Sequence, residues 1–472
     1  MRAPLPATLV LASERPSDFQ LGVCVALPVF LSRLPFLLPG YGMDPDAWRV
    51  VHSGWQLGTQ GVYRPSRGPG FPVQELVVAA LWRGGPLLLN GVTALLSAVA
   101  AACFALVLRR TLALRSWVCW LAGMTLACVP VVYVESTTSM DYLWALAALM
   151  ASLYALVCER RVWAGLLFGV AIGCRITTAI YGLPLVFLAV APADGRRTRN
   201  ALAWIGPAAA VALLAYSMVL SQEPWSFNVR YFLDYQLGWI SKLQIPPAKI
   251  SLPRATLDVW GDVGCIALVL GALAAIVPGL RRSGGFQAAL RSPLAWSSLI
   301  AIALGIALYF KLPHEPGYLI PIVPFVLLLF ALLLRSQAFA GLCLALLPAV
   351  WIDWDAGTPR AGVLLQTQRA RREDAQFIQR SLDELEALQR RAKVVAGHWY
   401  MMLEQQAHGP MVGQAEIVIL VQNRTQVDAY LEGGFELYYL PGIERSNLAS
   451  WRFNLKVHGF EPLFLLDQVP AR

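Results

Sequence analysis

Two carboxylates two residues apart, Asp44 and Asp46, open a polar stretch that lies between two long apolar runs. The stretch extends from Tyr41 to Glu75, YGMDPDAWRVVHSGWQLGTQGVYRPSRGPGFPVQE, and also carries Arg49, Arg64 and Arg67. A simple connection between two helices does not need such length. A carboxylate of this kind can take a proton from a hydroxyl. A pair of them suits a hard divalent ion such as Mg or Mn. Arginine stays charged and forks onto phosphate or carboxylate oxygens. The same residues also have a plainer use. Pro45 suits the first position of a helix, and Asp44 would then cap it, worth about 0.5–2 kcal/mol. Of the pair, Asp44 is the first candidate base and Asp46 the second.

Further charges sit in short turns. Glu135-Ser136-Thr137-Thr138-Ser139-Met140-Asp141 separates two apolar runs, and Lys311-Leu312-Pro313-His314-Glu315-Pro316-Gly317-Tyr318 separates two more. Glu75, Asp141, His314 and Glu315 are therefore candidates for contacting a substrate. Arg175 is the informative irregularity. Between Arg160-Arg161 and the cluster Arg196, Arg197, Arg199 lie 34 residues, 162–195. A full membrane span takes about 20 residues, so two spans and a turn do not fit. Two short helices, about 162–174 and 177–191, meeting at Arg175-Ile176-Thr177-Thr178, do fit. An ionisable residue at such a break is a functional candidate, and the plainer reading is an arginine pairing with Glu135 or Asp141.

The elements that must position these residues are membrane helices. The 472 residues are 57% hydrophobic and only 14% charged, with mean hydropathy +0.55. A soluble protein would carry about 25% charged residues. Apolar runs near 18–40, 86–108, 117–134, 142–158, 162–174, 177–191, 201–221, 260–280, 293–310, 318–334 and 337–352 predict about 11 crossings. Arginine-rich short loops alternate with loops lacking arginine, which places the arginine side in the cytoplasm. The net charge of +9 is then an orienting charge that meets anionic lipid, and nucleic acid is not expected. Residues 41–85 and 222–257 become outer loops. Arg33, near the outer end of the first run, either snorkels to water or reaches the polar loop. The eight cysteines lie in apolar runs without metal-ligand spacing and read as small buried residues.

After Trp354 the composition changes. A charged amphipathic helix at 366–393 is followed by short apolar runs, Lys393–Ala396, Ala415–Val421 and Phe435–Leu440. This pattern predicts a small soluble α/β domain over 354–472 beside a membrane domain over 1–353. An odd number of crossings puts it on the outer side.

The order of these parts resembles the GT-C family of integral membrane glycosyltransferases, which use polyprenyl-phosphate-linked sugars. Its members include lipid A aminoarabinose transferases and protein O-mannosyltransferases. The resembling features are Asp44-Pro45-Asp46, then Gly61-Val62-Tyr63-Arg64-Pro65-Ser66-Arg67-Gly68-Pro69-Gly70-Phe71-Pro72, then the turn ending in Asp141. The short-helix pair, Gly165-Leu166-Leu167-Phe168-Gly169 through Arg175, and Gly317-Tyr318-Leu319-Ile320-Pro321 complete the series. The resemblance covers about residues 18–352. It implies transfer of a sugar from a polyprenyl phosphate to an acceptor hydroxyl of a lipid, glycan or protein, on the non-cytoplasmic face of a bacterial inner membrane. Such a donor carries its own leaving group. What remains for the protein is a base, Asp44 or Asp46, and positive charge for the departing phosphate, from Arg175, Arg64, Arg67 and Lys311. A transporter or flippase is the alternative. It would need polar groups in a path through both membrane halves, whereas these cluster on one side.

Overall fold

A computed structural model describes residues 17–191, 196–222, 248–282, 285–310, 315–355, 358–440, 453–457 and 464–468. Lys311, His314 and most of the second outer loop lie outside the described residues. Among the described residues, five helical stretches are long and apolar enough to cross a membrane: 18–36, 72–112, 197–221, 251–276 and 316–333. Six shorter apolar helical stretches accompany them. Tyr142–Val157 is apolar on every face and almost wholly buried, as a central helix must be. It packs between Gly85–Leu112 and Arg161–Cys174. Helices near the edge, Arg197–Gln222 and Ala248–Ile276, instead turn Leu213, Leu214, Ile266 and Leu270 outward. Cys24 is exposed as well, unlike the other cysteines, and all eight are free thiols.

The expected runs depart from continuous helices where proline intervenes. The run at 117–134 divides into Ser116–Cys128 and Pro130–Glu135. Pro130 has no N–H and pushes the residue before it out of the helical region, and Val129 has ψ 129°. The stretch before Glu75 is likewise not a plain loop. It contains the helices Pro45–Gln60 and Pro72–Leu81, each opened by a proline. The short pair around Arg175 is present: Arg161–Cys174, a tight 3₁₀ turn Ile176–Tyr181, and Gly182–Val190.

The bundle has two distinct ends. At one, Arg110 pairs with Asp18, the Tyr154 hydroxyl donates to Asp18 at 3.2 Å, and Arg282 reaches the Leu112 carbonyl at 3.2 Å. These arginines close several helices at one level. Asp44, Arg67, Asp141, Arg175 and Glu315 sit at the other end. Arg33 reaches neither water nor the Tyr41–Glu75 stretch. It is fully buried, donates to Ser136 Oγ at 3.1 Å and the Ala127 carbonyl, and lies 3.9 Å from the Tyr133 ring centre.

The chain beyond the bundle forms a six-stranded sheet in the order Met411–Val412, Ala415–Val418, Ala392–Val395, Glu436–Tyr439, Phe464–Gln468, Phe453–Val457. The Ala392–Val395 strand runs parallel to both neighbours and is buried along its length, while the outer pairings are antiparallel. The amphipathic helix is Val363–Glu386. It does more than precede the sheet. Arg371, 3% exposed, donates to the carbonyls of Phe36 (2.8 Å), Pro39 (2.8 Å), Gly40 (3.0 Å) and Thr137 (3.3 Å). Gln368 beside it donates to the Leu38 carbonyl. A non-repeating backbone segment leading into the polar stretch thus finds its donors on a helix more than 300 residues later. Burial lowers the Arg371 pKa to about 10, so it stays charged at neutral pH. Replacing it leaves several buried carbonyls unpaired, each costing on the order of 1–3 kcal/mol. Arg371→Ala should therefore lower the unfolding stability of the purified protein by at least about 2 kcal/mol, with Arg371→Lys intermediate. An unchanged thermal or denaturant midpoint for Arg371→Ala would contradict this clamp.

Candidate active site

Asp44 is the N-cap of Pro45–Gln60, as the local sequence suggested. Its Oδ1 accepts from the Asp46 N–H at 2.8 Å, and Pro45 takes the first helical position. Only one carboxylate oxygen is used in this way; the other accepts no hydrogen bond among the described residues. The cap and a chemical role are therefore compatible. Burial, then the charge of Asp46, push the Asp44 pKa upward.

A chain of ion pairs begins one turn into the helix. Arg49 donates to Asp46 at 2.8 Å. Arg67 bridges Asp46 and Asp141, and Arg175 takes the other oxygen of Asp141. Asp141 is fully buried, so its two oxygens are held by two guanidiniums. Arg175, 7% exposed, leaves the end of Arg161–Cys174 in an extended conformation. Its guanidinium lies 4.1 Å from the ring centre of Tyr142 and 4.7 Å from that of Tyr318. Arg67 lies 4.3 Å over Phe71. Aromatic faces on one side and a carboxylate on the other fix both cations. The Arg67 Nε is buried and has no hydrogen-bond partner among the described residues. It remains available to an anion.

Glu75 holds the loop that presents Arg67. Its carboxylate accepts from the Tyr63 hydroxyl, from the Ser66 N–H at 2.7 Å and from the Phe71 N–H at 3.1 Å. Its oxygens face the loop backbone, so its contribution is to loop shape. Arg64 is exposed and makes no ion pair among the described residues, while its carbonyl accepts from Ser53. Glu315 is partly buried, and burial followed by the Asp44 charge raises its pKa. Glu135 joins the same neighbourhood. Burial, then Glu315 and Asp44, push its pKa up to about 8. The sequence marks Glu135 as the start of a polar turn and a possible partner of Arg175, which pairs with Asp141 instead; nothing local reveals three acids sharing one space.

A divalent ion between Asp44 and Asp46 does not fit this arrangement. Both oxygens of Asp46 are held by Arg49 and Arg67, and one of Asp44 caps the helix. Among the described residues no three His, Cys, Asp or Glu side chains are grouped to hold a metal.

Residues 76–306 match the family model described as Glycosyltransferase family 87. The fold is similar to that of ArnT from Cupriavidus metallidurans, whose crystal structure is bound to undecaprenyl phosphate. The TM-score is 0.59 at 13% identity, over 94% of this chain and 97% of that one. The chain has a GT-C fold. The resemblance read from the motif order is thereby borne out. No curated protein matches the chain by sequence. The family 87 match contains Asp141 and Arg175 but begins after the Asp44–Arg67 loop. The part played by that loop rests on its geometry.

The pairing pattern makes Asp141 more costly to alter than Asp46, whose side chain is 27% exposed. Removing one partner of a buried pair costs about 3–5 kcal/mol, because the remaining charge is stranded. Asp141→Asn strands Arg175 and leaves Arg67 with Asp46 alone. It should destabilise the purified protein by about that much, and Asp46→Asn clearly less. Equal losses for the two variants in denaturant unfolding would show that Asp141 does not hold the group together.

Proposed function

We propose that this protein transfers a sugar from a polyprenyl-phosphate donor to an acceptor hydroxyl. The observation that carries the reading is two guanidiniums, Arg67 and Arg175, fixed on Asp141 in the electrostatic neighbourhood of a carboxylate, Asp44, with one oxygen unused. The ArnT likeness supports a lipid-linked donor, since that protein binds undecaprenyl phosphate.

The chemistry follows from these groups. Asp44 takes the acceptor hydroxyl proton as the acceptor oxygen bonds to the anomeric carbon. The bond from that carbon to the phosphate oxygen breaks, and the leaving polyprenyl phosphate keeps the electron pair. Arg67 and Arg175 stabilise the growing phosphate charge without reorganising, because Asp141 and the aromatic rings already hold them. Lys311, close in sequence to Glu315, is a further candidate for the phosphate, and His314 for the substrate. A single displacement inverts the anomeric centre. A retaining route would use a second carboxylate as nucleophile, placed about 5 Å away in glycosidases. Asp46 is the nearest in sequence, and both its oxygens are held by arginine.

The site lies on the non-cytoplasmic face of a bacterial plasma membrane in this reading. The arginine-closed end of the bundle supports that orientation. The 354–472 segment, clamped through Arg371 to the site end, lies on the same side. The transporter alternative gains nothing from the ion pairs, which gather at one end and not along a path.

The test is sugar transfer in right-side-out vesicles with acceptor added outside. Wild-type protein should glycosylate it. Asp44→Asn keeps an oxygen for the helix cap and should fold normally, yet lose at least about 100-fold in turnover. The wild-type rate should rise with pH through a value above the ordinary carboxylate range of about 4, since the raised pKa of Asp44 keeps it protonated below that. Near-normal turnover in Asp44→Asn would remove the base assignment. Transfer only to acceptor enclosed within the vesicles would reverse the orientation.

A further inference from the structure

The end of the bundle away from Arg175 carries a second site. Two helices, Arg161–Cys174 and Arg197–Gln222, pack side by side. Gly165 faces Trp204, Gly169 faces Ala208 and Val211, and Gly173 faces Ala215. The contacts advance together along both chains, so the helices run in the same direction. A side chain at Gly165 would collide with the Trp204 backbone, and a Cβ at Gly169 would lie 2.7 Å from the Ala208 carbonyl oxygen. This small-residue spacing lets the two helices approach closely.

Close parallel packing has an electrostatic consequence. Both N-termini lie at the same end, each equivalent to roughly half a positive charge. The sequence adds Arg160 and Arg161 at one start and Arg196 and Arg199 at the other. All four line one pocket of about 410 Å³, and Glu159 is the one acid among its described lining residues. Glu159 has φ 59°, a left-handed conformation that side-chain-bearing residues seldom adopt. It turns the chain so that the Arg160 N–H reaches back to the Ala155 carbonyl at 2.8 Å. The guanidiniums of Arg160, Arg161 and Arg199, with two helix N-termini, form a site for an anion.

The apolar surroundings say which anion. Trp163, a pocket residue, is 63% exposed, and Leu202 on the neighbouring helix is 64% exposed. In a membrane bundle such outward faces meet lipid, and tryptophan marks the headgroup level. We infer that this pocket binds the phosphate of an anionic membrane lipid, whose acyl chains lie along Trp163 and Leu202. The inference does not depend on the reaction catalysed at the other end of the Arg161–Cys174 helix.

The test uses the full-length protein in phosphatidylcholine nanodiscs doped with phosphatidylglycerol, with bound lipid counted by native mass spectrometry. Wild type should retain phosphatidylglycerol in preference to phosphatidylcholine. Arg160→Gln/Arg161→Gln and Arg196→Gln/Arg199→Gln should each weaken that preference at least about tenfold. A fourfold arginine-to-lysine variant keeps the charge and guards against misfolding; it should retain most of the preference. Arg281→Gln/Arg335→Gln, which removes charge at another helix end, should leave it intact. An equal loss in that control would mean diffuse attraction and overturn the site. Displacement of the lipid by millimolar inorganic phosphate would assign the pocket to a soluble anion and overturn the lipid.

Discussion

One buried carboxylate, Asp141, is shared by two guanidiniums. Arg67 comes from the polar stretch before the second long span, and Arg175 from a break inside the helical bundle. Neither cation could be kept in an apolar setting alone, since an unpaired buried charge is expelled or neutralised. Asp141 makes both tolerable and brings them within reach of one another. Tyr142, Tyr318 and Phe71 close the other sides of the cations with ring faces. Glu75 sets the backbone from Tyr63 to Phe71, which carries Arg67.

The membrane sets the terms for this arrangement. Backbone in the apolar layer must satisfy its own hydrogen bonds, so a break is tolerated only where protein covers it. At Arg175 the chain passes directly from an α-helix into a 3₁₀ turn, with the Thr178 N–H donating to the Arg175 carbonyl at 2.9 Å. The opposite wall is irregular too. Leu37 to Gly40 is non-helical, and its carbonyls are paired by Gln368 and Arg371 from beyond the bundle. The sheet-bearing segment is thus coupled to the site through backbone acceptors. That coupling accounts for a strongly basic, almost fully buried residue on the inner face of an amphipathic helix.

Much of the local structure was legible. Asp44-Pro45 announced a capped helix, and the cap is there. The 34 residues between two arginine clusters were too few for two spans and a turn, and that arithmetic located Arg175. Short apolar runs near 393, 415 and 435 became strands. The long-range pairings were not legible. Arg67 and Asp141 are 74 residues apart, and Arg371 is 331 residues from Gly40. A guanidinium that serves carbonyls leaves no complementary side chain in the sequence to find. Glu75 reads as a substrate contact because acids in polar loops often are; that its oxygens accept from the Tyr63 hydroxyl and the Ser66 and Phe71 N–H groups is not written in the sequence. Glu135 reads in the sequence as a partner for Arg175, whereas its environment is shaped by Glu315 and Asp44, residues far away along the chain.

The central claim is that Arg67 and Arg175, locked by Asp141, form a phosphate site. Binding of undecaprenyl phosphate to the purified protein tests it most directly. Lysine keeps the charge but loses the planar fork. Arg67→Lys and Arg175→Lys should each weaken binding at least about tenfold, a loss of one bidentate, charge-assisted contact. Exposed Arg64→Lys should bind as wild type does. Undiminished binding in both Arg67→Lys and Arg175→Lys would contradict the account.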